Sequence, residues 1–159
     1  MAEDLRIELL ADHPEAVHVL SEWEYGEWGH LMPDVSRGEL ADAFVRRANR
    51  AQIPMTLLGY LGERLVGTAS LVVHDMSIFR ELSPWLAILY VVPECRGRGY
   101  GSGLVAAVMR EGTALGCERI YLFTPDQMPF YERLGWHTRE VVDYRGERVS
   151  IMECSANDA

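Results

Sequence analysis

One short segment combines several glycines with two arginines, at the point where an apolar run meets a segment of helical periodicity. It reads VVPECRGRGYGSGL, and its residues 96–103 are called the glycine loop here. A helix N-terminus leaves N–H groups unpaired and carries the positive end of the helix dipole, so it suits an anion. Glycine lets successive N–H groups point the same way and lets a phosphate approach without meeting a Cβ. The glycine loop therefore predicts a phosphate site, with Arg96 and Arg98 adding positive charge.

Two common phosphate-binding motifs do not fit the glycine loop. A Walker loop requires a lysine, and the chain contains none. The dinucleotide-binding fingerprint requires a third glycine where this chain has Ser102 or Leu104. The pattern that remains is R-x-x-G-x-G, formed by Arg96, Gly99 and Gly101.

The net charge of −9 is concentrated in the first part of the chain. Residues 1–45 contain eleven acidic residues against Arg6 and Arg37, whereas the remainder balances 13 acidic residues with 13 arginines. A nucleic-acid-binding protein has the opposite charge, so we expect no nucleic-acid partner. The acidic region either attracts a cationic ligand or is a solvated face that aids solubility.

Length and composition predict one globular domain over residues 1–159, and the element order given below indicates that it is α/β with a mixed sheet. The first residues carry acids where a signal peptide carries basic residues, and the longest apolar run, 85–93, is too short to span a membrane. We therefore expect a cytoplasmic protein with no membrane partner. Cys95, Cys117 and Cys154 lack the spacing of a metal site, so free thiols and no metal are expected.

Apolar periodicity predicts the element order βααβββαβαββ. The first helix is expected to have Asp12 as its N-cap and to end near Gly26, and the second to be capped by Asp34 or Ser36. The last two strands could either complete the sheet of the monomer or exchange between subunits of a homodimer. The second helix is expected to place three apolar residues on its inner face: Leu40, Phe44 and Val45.

Two segments together resemble the signatures of one protein family. LYVVPECRGRGYGSGL is similar to the acyl-CoA signature of the GNAT superfamily of N-acetyltransferases, and IYLFTPDQMPFYERLGW is similar to its second signature. The predicted element order matches the family core over about residues 5–153. The resemblance implies a single GNAT-like domain, with a mixed, mostly antiparallel sheet of about seven strands and about four helices. It also implies that acetyl-CoA donates an acetyl group to a primary amine by direct attack in a ternary complex.

The resemblance also assigns site residues. In the family, the strand before the glycine loop binds the pantetheine arm, and N–H groups of the loop bind the pyrophosphate. Thr124 stands where the family often has a cofactor-contacting Asn, and Tyr131 matches its usual general acid, which protonates the departing thiolate. The alternative for Tyr131 is a packing role beside Phe130. The remaining implied cofactor-binding residues are Leu89, Tyr90, Val91, Arg96, Gly97, Arg98, Gly99, Tyr100, Gly101 and Ser102.

The acceptor and the general base stay open at this point. In the family the first two helices wall the acceptor site, which favours a cationic amine such as a polyamine, an aminoglycoside-like amine or a peptide amine. Arg6 and Arg37 are the only basic residues in 1–45, which argues against an acidic acceptor. Trp23 and Trp28 could form a cation–π wall or belong to the core. A non-catalytic acyl-CoA-binding or regulatory module, and transfer of a longer acyl chain, are the alternative functions. The candidate bases are Glu24, Glu27, His30 and His74.

Overall fold

Seven strands form one sheet in the computed structural model of the protein, which describes residues 4–156. The strands are β1 (Arg6–Leu9), β2 (Met55–Leu61), β3 (Arg64–Val72), β4 (Trp85–Val91), β5 (Arg119–Thr124), β6 (His137–Tyr144) and β7 (Glu147–Ser155). Their order across the sheet is β1-β2-β3-β4-β5-β7-β6, and only the β4–β5 pair is parallel. β6 and β7 complete this chain's own sheet. This is one of the two alternatives that the sequence left open, and a homodimer stays a prediction.

Within residues 4–156, four α-helices accompany the sheet: α1 (Val17–Trp28), α2 (Arg37–Arg46), α3 (Tyr100–Ala114) and α4 (Met128–Arg133). Short 3-10 turns cover Leu10–Asp12, Pro14–Ala16, Gly29–Leu31 and Pro93–Cys95. The predicted order βααβββαβαββ and the single mixed α/β domain are confirmed. Among the described residues, no helix combines the length and apolar character needed to cross a membrane.

Helix α3 packs on the central strands, and this packing fixes the position of its N-terminus. Its residues Leu104, Val105 and Val108 are almost completely buried, as the periodicity predicted. A Cβ added to Gly67 on β3 would lie 2.9 Å from a methyl carbon of Leu104 and 2.9 Å from the Tyr90 carbonyl oxygen. Glycine at this position therefore lets α3 and β4 approach β3 closely.

Some local predictions for the first two helices are wrong. Two 3-10 turns precede α1, so Asp12 does not cap it and instead forms an ion pair with Arg50. α1 ends at Trp28, two residues beyond the expected end near Gly26, because one glycine inside a packed helix lowers stability without ending it. Ser36, one of the two candidates, caps α2 by accepting a hydrogen bond of 3.1 Å from the Glu39 N–H.

The inner face of α2 is narrower than predicted. Leu40 and Phe44, four residues apart, are buried, whereas Val45 is 61% exposed. One residue corresponds to about 100° of rotation on a helix, which carries Val45 away from the face that Phe44 occupies. The three cysteines are free thiols, as predicted.

Candidate active site

The central feature is a cleft that opens where β4 and β5 diverge. These parallel strands pair at one position, Trp85 with Tyr121, after which β5 continues to pair with β7. The cleft has a volume of about 1070 Å³ and is lined by β4 residues from Leu86 to Val91 and by the ends of β5 and α3. Backbone groups of β4 that a neighbouring strand would otherwise pair can therefore face a bound molecule.

A bulge on β4 lies in the wall of this cleft. Thr68 pairs with Tyr90 and Ser70 with Ala87, so one residue of β3 faces both Ile88 and Leu89. Ile88 has φ of +55°, a left-handed conformation that is unusual for a β-branched residue. Such backbone strain costs about 1–3 kcal/mol and is concentrated at functional sites in proteins. The bulge turns the backbone of the strand just before the glycine loop.

The glycine loop delivers the N-terminus of α3 to the cleft. Gly99 is the N-cap with φ of +88°, and Gly97 has φ of +78°. A Cβ added to either glycine would have no heavy atom within 4 Å, so the surface beside the helix start is open to a phosphate. The first N–H groups of the 15-residue helix have no intrahelical acceptor. Gly101 serves a different purpose, because its Cβ position lies 3.5 Å from the Phe130 ring of α4.

The two arginines of the glycine loop behave differently. The Arg96 Nε donates a hydrogen bond of 2.8 Å to the Val91 carbonyl, and its guanidinium lies 5.3 Å from the centre of the Tyr90 ring. Arg96 thus ties the glycine loop to the end of β4 and lines the cleft. Arg98 is exposed and does not line the cleft. The other sequence-predicted cofactor residues, including Thr124, all line it.

Tyr131 on α4 lies in the same cleft. It is 8% exposed, and its ring contacts Phe130 and Trp136 with centroid distances of 4.9 Å and 6.0 Å. Burial raises the pKa of Tyr131 well above its ordinary value, so the hydroxyl stays protonated at neutral pH. Within the described part of the chain no group hydrogen-bonds this hydroxyl. The Thr124 hydroxyl accepts a hydrogen bond of 3.0 Å from the Gln127 N–H and so positions the turn before α4.

A second group of polar residues lines the other half of the cleft. It comprises Glu24, Glu27, His30, Arg47, His74 and Asp75, and is called the acceptor half here. All four sequence-predicted candidate bases are therefore brought together. Of the ten acidic residues that the structure describes in 4–45, only Glu24 and Glu27 line the cleft, so most of this acidic charge lies elsewhere.

Glu24 differs from the other three candidate bases in its burial. It is 8% exposed, and its Oε1 is inaccessible and has no hydrogen-bond partner. Burial raises the pKa of Glu24, and the positive charge of Arg47 offsets part of this rise. Glu27 and His30 are exposed and His74 is half-buried. A buried carboxylate without a partner is well suited to bind an ammonium group or to accept its proton.

Arg47 and Asp75 are site residues that the sequence interpretation missed. Arg47 follows the last residue of α2, and its Nη1 is buried with no hydrogen-bond partner. Burial raises the pKa of Asp75 to about 7, while Arg47 and Arg145 act in the opposite direction. The only sequence signal for Asp75 was its position next to the candidate base His74.

The two tryptophans of α1 have separate roles. Trp28 lines the cleft and lies 6.3 Å from the Tyr90 ring, measured between centroids. Trp23 does not line the cleft and packs on Tyr90 at 5.1 Å. Only Trp28 is therefore placed to contact a ligand.

Comparisons with known proteins agree with this geometry. A model of the acetyltransferase (GNAT) family matches residues 10–136. The chain belongs to this family. It is a GNAT acetyltransferase, and the resemblance seen in the sequence is confirmed. No curated protein matches the chain.

Several solved acetyltransferase structures are similar to this acetyltransferase over nearly its whole length. An aminoglycoside 6'-acetyltransferase type Ii is 21% identical, with a TM-score of 0.74 and coverage of 95% of this chain and 97% of that one. An aminoglycoside 6'-N-acetyltransferase complexed with coenzyme A is 17% identical, with a TM-score of 0.76 and the same two coverages, 95% and 97%. The protein yncA from Salmonella typhimurium, solved with its cofactor acetyl-CoA, is 14% identical, with a TM-score of 0.70 and coverages of 97% and 95%. The TM-scores establish a common fold.

The cleft of this acetyltransferase thus has two chemically different halves. One, called the donor half here, is formed by backbone groups of β4 and α3, which suit a phosphate-bearing molecule with an extended arm. The other is the acceptor half, where charged side chains lie around a buried carboxylate. Tyr131 belongs to the same cleft, so a donor and an acceptor bound there could meet beside its hydroxyl.

Proposed function

We propose that this acetyltransferase transfers the acetyl group of acetyl-CoA to a primary amine by direct attack in a ternary complex. The observation that carries the proposal is that the N-terminus of α3, the β4 bulge and Tyr131 all face one cleft. The amine arrives as an ammonium cation, because alkyl amines have pKa values of about 10.

The described residues fit the phosphate groups of acetyl-CoA. The glycine loop leaves the approach to the α3 N-terminus open at Gly97 and Gly99, and N–H groups at the helix start are available as donors. Leu89, Tyr90 and Val91 lie on the side of β4 that lines the cleft, where they would hold the pantetheine arm as a neighbouring strand would. Acetyl-CoA supplies an activated acyl group as a thioester.

Two side chains are assigned to proton transfer. Glu24 would accept a proton from the ammonium group. Only about one part in a thousand of an alkyl amine is neutral at pH 7, so forming the neutral amine costs roughly 4 kcal/mol. The raised pKa of Glu24 brings it closer to the pKa of the amine, so the transfer is less unfavourable. Tyr131 would donate a proton to the sulfur of the departing thiolate as the carbon–sulfur bond breaks, and the proton that the attacking nitrogen then loses would restore the Tyr131 hydroxyl. A backbone N–H at the β4 bulge would stabilise the negative oxygen formed during attack.

Acetyl-CoA binding measured by calorimetry, with a melting scan beside it, tests the first half of the proposal. A ligand at about 100 times its dissociation constant stabilises by about 2.7 kcal/mol, which is roughly 5–10 °C for a domain of this size. If acetyl-CoA, dephospho-CoA and longer acyl-CoAs all gave neither binding heat nor a shift in melting temperature, the proposal would be contradicted.

Release of the CoA thiol, followed with and without an amine, tests the second half. We expect release that depends on the amine, measured with amino acids, polyamines, aminoglycosides and short peptides as acceptors. Binding of acetyl-CoA without release from any of these amines would instead point to a binding module. A series of acyl-CoA lengths then establishes which acyl group is transferred.

A further inference from the structure

The acceptor half combines opposite charges that are close but not paired. Glu24, Arg47 and Asp75 line the same half of the cleft, and the positive charge of Arg47 acts to lower the pKa values of both carboxyl groups. In the described part of the chain, however, no nitrogen of Arg47 is within 4.0 Å of a carboxylate oxygen. Glu24 Oε1 and Arg47 Nη1 are both buried without hydrogen-bond partners.

This arrangement is not the one expected if Arg47 only neutralised the charge of Glu24 or Asp75. An arginine that neutralised Glu24 or Asp75 would pair with it directly, because a buried donor or acceptor left unpaired costs free energy. A bound molecule would satisfy both atoms if it presented a positive group to Glu24 and a negative group to Arg47. Because both residues line one cleft, a single small molecule could contact them together.

We infer that the acceptor is an amine with a neighbouring carboxylate, as in an α-amino acid, and that Arg47 binds this carboxylate while Glu24 binds the ammonium group. The inference rests on the proposed function and specifies its substrate class. The planar guanidinium of Arg47 matches a carboxylate in a bidentate arrangement. A dianionic phosphate is disfavoured, because Glu24, Glu27 and Asp75 line the same half of the cleft.

The position of Arg47 explains why the sequence favoured a cationic acceptor and argued against one with a negative group. An acidic acceptor was not expected because residues 1–45 contain only Arg6 and Arg37, and neither lines the cleft. Arg47 lies two residues beyond that region and lines the cleft with Leu40 and Ala43, which precede it at helical spacing. The local charge around the acceptor amine is therefore mixed, although the surrounding region is acidic.

The test compares acceptors that differ only in the carboxylate. CoA release is measured at pH 8 with the common α-amino acids, with their carboxamides, and with spermidine and kanamycin as amines lacking a carboxylate. We expect the preferred amino acid to exceed its carboxamide in kcat/KM by at least about 100-fold, because the carboxamide would leave Arg47 unpaired. This comparison uses the unmodified protein and does not depend on a variant that folds.

Variants then assign the preference to Arg47. Arg47→Gln is expected to remove the preference by raising KM for the amino acid, with the carboxamide nearly unaffected. Arg47→Lys keeps the charge without the planar fork and should retain part of the preference. Arg46→Gln is the matched control, because it removes the same charge from an exposed neighbour outside the cleft and should change nothing.

The possible failures are distinguishable. Efficient acetylation of spermidine or kanamycin, with amino acids no better than carboxamides, would overturn the inference and leave the proposed function intact. Equal loss with both acceptor types in Arg47→Gln would mean that Arg47 acts through the structure of the site, which also overturns it. Acetyl-CoA binding without release from any amine would overturn the inference together with the proposed function.

Discussion

Replacing Asp75 by asparagine is expected to stabilise the protein above pH 7 and to change little near pH 4. The folded-state pKa of Asp75, about 7, lies above its ordinary value of 3.8. Below pH 3.8 the carboxyl is protonated in both the folded and the unfolded chain. As the pH rises, the unfolded chain releases its proton first, so stability falls progressively until the folded state also ionises near pH 7. The side-chain amide of the Asp75→Asn variant has no such proton to lose, so the variant avoids this fall.

The pKa shift sets the size of the effect. A shift of about three units corresponds to at most about 4 kcal/mol, at 1.36 kcal/mol per unit. Asp75 is only half-buried, so solvent screens part of this energy and about 2 kcal/mol is a reasonable expectation. For a domain of this size, that corresponds to a melting temperature about 4–8 °C higher for Asp75→Asn at pH 8.

Melting curves of both proteins between pH 4 and pH 8 provide the assay. The difference in melting temperature should grow with pH across this range and level off above pH 7. Asp42→Asn removes the same charge from an exposed position on α2, so its melting difference should not follow this pattern. A difference for Asp75→Asn that stays constant from pH 4 to pH 8 would refute the assignment of burial as the cause.

Three further substitutions test the two halves of the cleft. Gly99→Asp places a carboxylate at the start of α3 and should abolish acetyl-CoA binding, as measured by calorimetry. The control is Gly62→Asp, at another open glycine with φ of +60°, and this variant should bind acetyl-CoA normally. Tyr131→Phe should lower kcat by about 10- to 100-fold without changing the dissociation constant of acetyl-CoA, and an unchanged kcat would mean that another group protonates the thiolate. Glu24→Gln should lower kcat/KM for the amine by about 100-fold and remove the fall in activity at low pH, because its raised pKa places that fall above the usual carboxylate range. An acidic limb that persists in Glu24→Gln would exclude Glu24 as the base.

The donor half of the cleft could be predicted because its signals are local. Strand β4, the glycine loop and the start of α3 follow one another in residues 85–103, so one segment contains the strand, the turn and the helix terminus. The inward residues of α3 could be predicted from spacing alone, since a regular helix maps sequence separation onto direction. The bulge at Ile88 could not, because its residues are apolar like the rest of the strand and only pairing with β3 reveals the extra residue.

The acceptor half could be predicted only in part because it is assembled from distant segments. Glu24 comes from α1, Arg47 from the end of α2, and Asp75 from the connection after β3. The sequence could nominate Glu24 as one of several acids near two helices, but it could not show that this carboxylate is buried. Arg47 stands at helical spacing after Leu40 and Ala43, which also line the cleft, whereas its neighbour Arg46 is rotated by about 100° and is exposed. The spacing alone does not show that this side of α2 faces a cleft.

Buried polar atoms without hydrogen-bond partners are concentrated in the acceptor half. Four side-chain nitrogen or oxygen atoms are buried without a partner among the described residues, and three of them, on Glu24, Arg47 and His74, line the acceptor half. Each such atom typically costs about 1–3 kcal/mol, so a fold of marginal stability would not gather three of them in one place for packing alone. In the donor half, by contrast, N–H groups at the start of α3 lack intrahelical acceptors, and water can satisfy such groups. The acceptor half therefore bears a cost in stability that a bound ligand with complementary charges would offset, and this is why its charges indicate the substrate better than the net charge of the chain does.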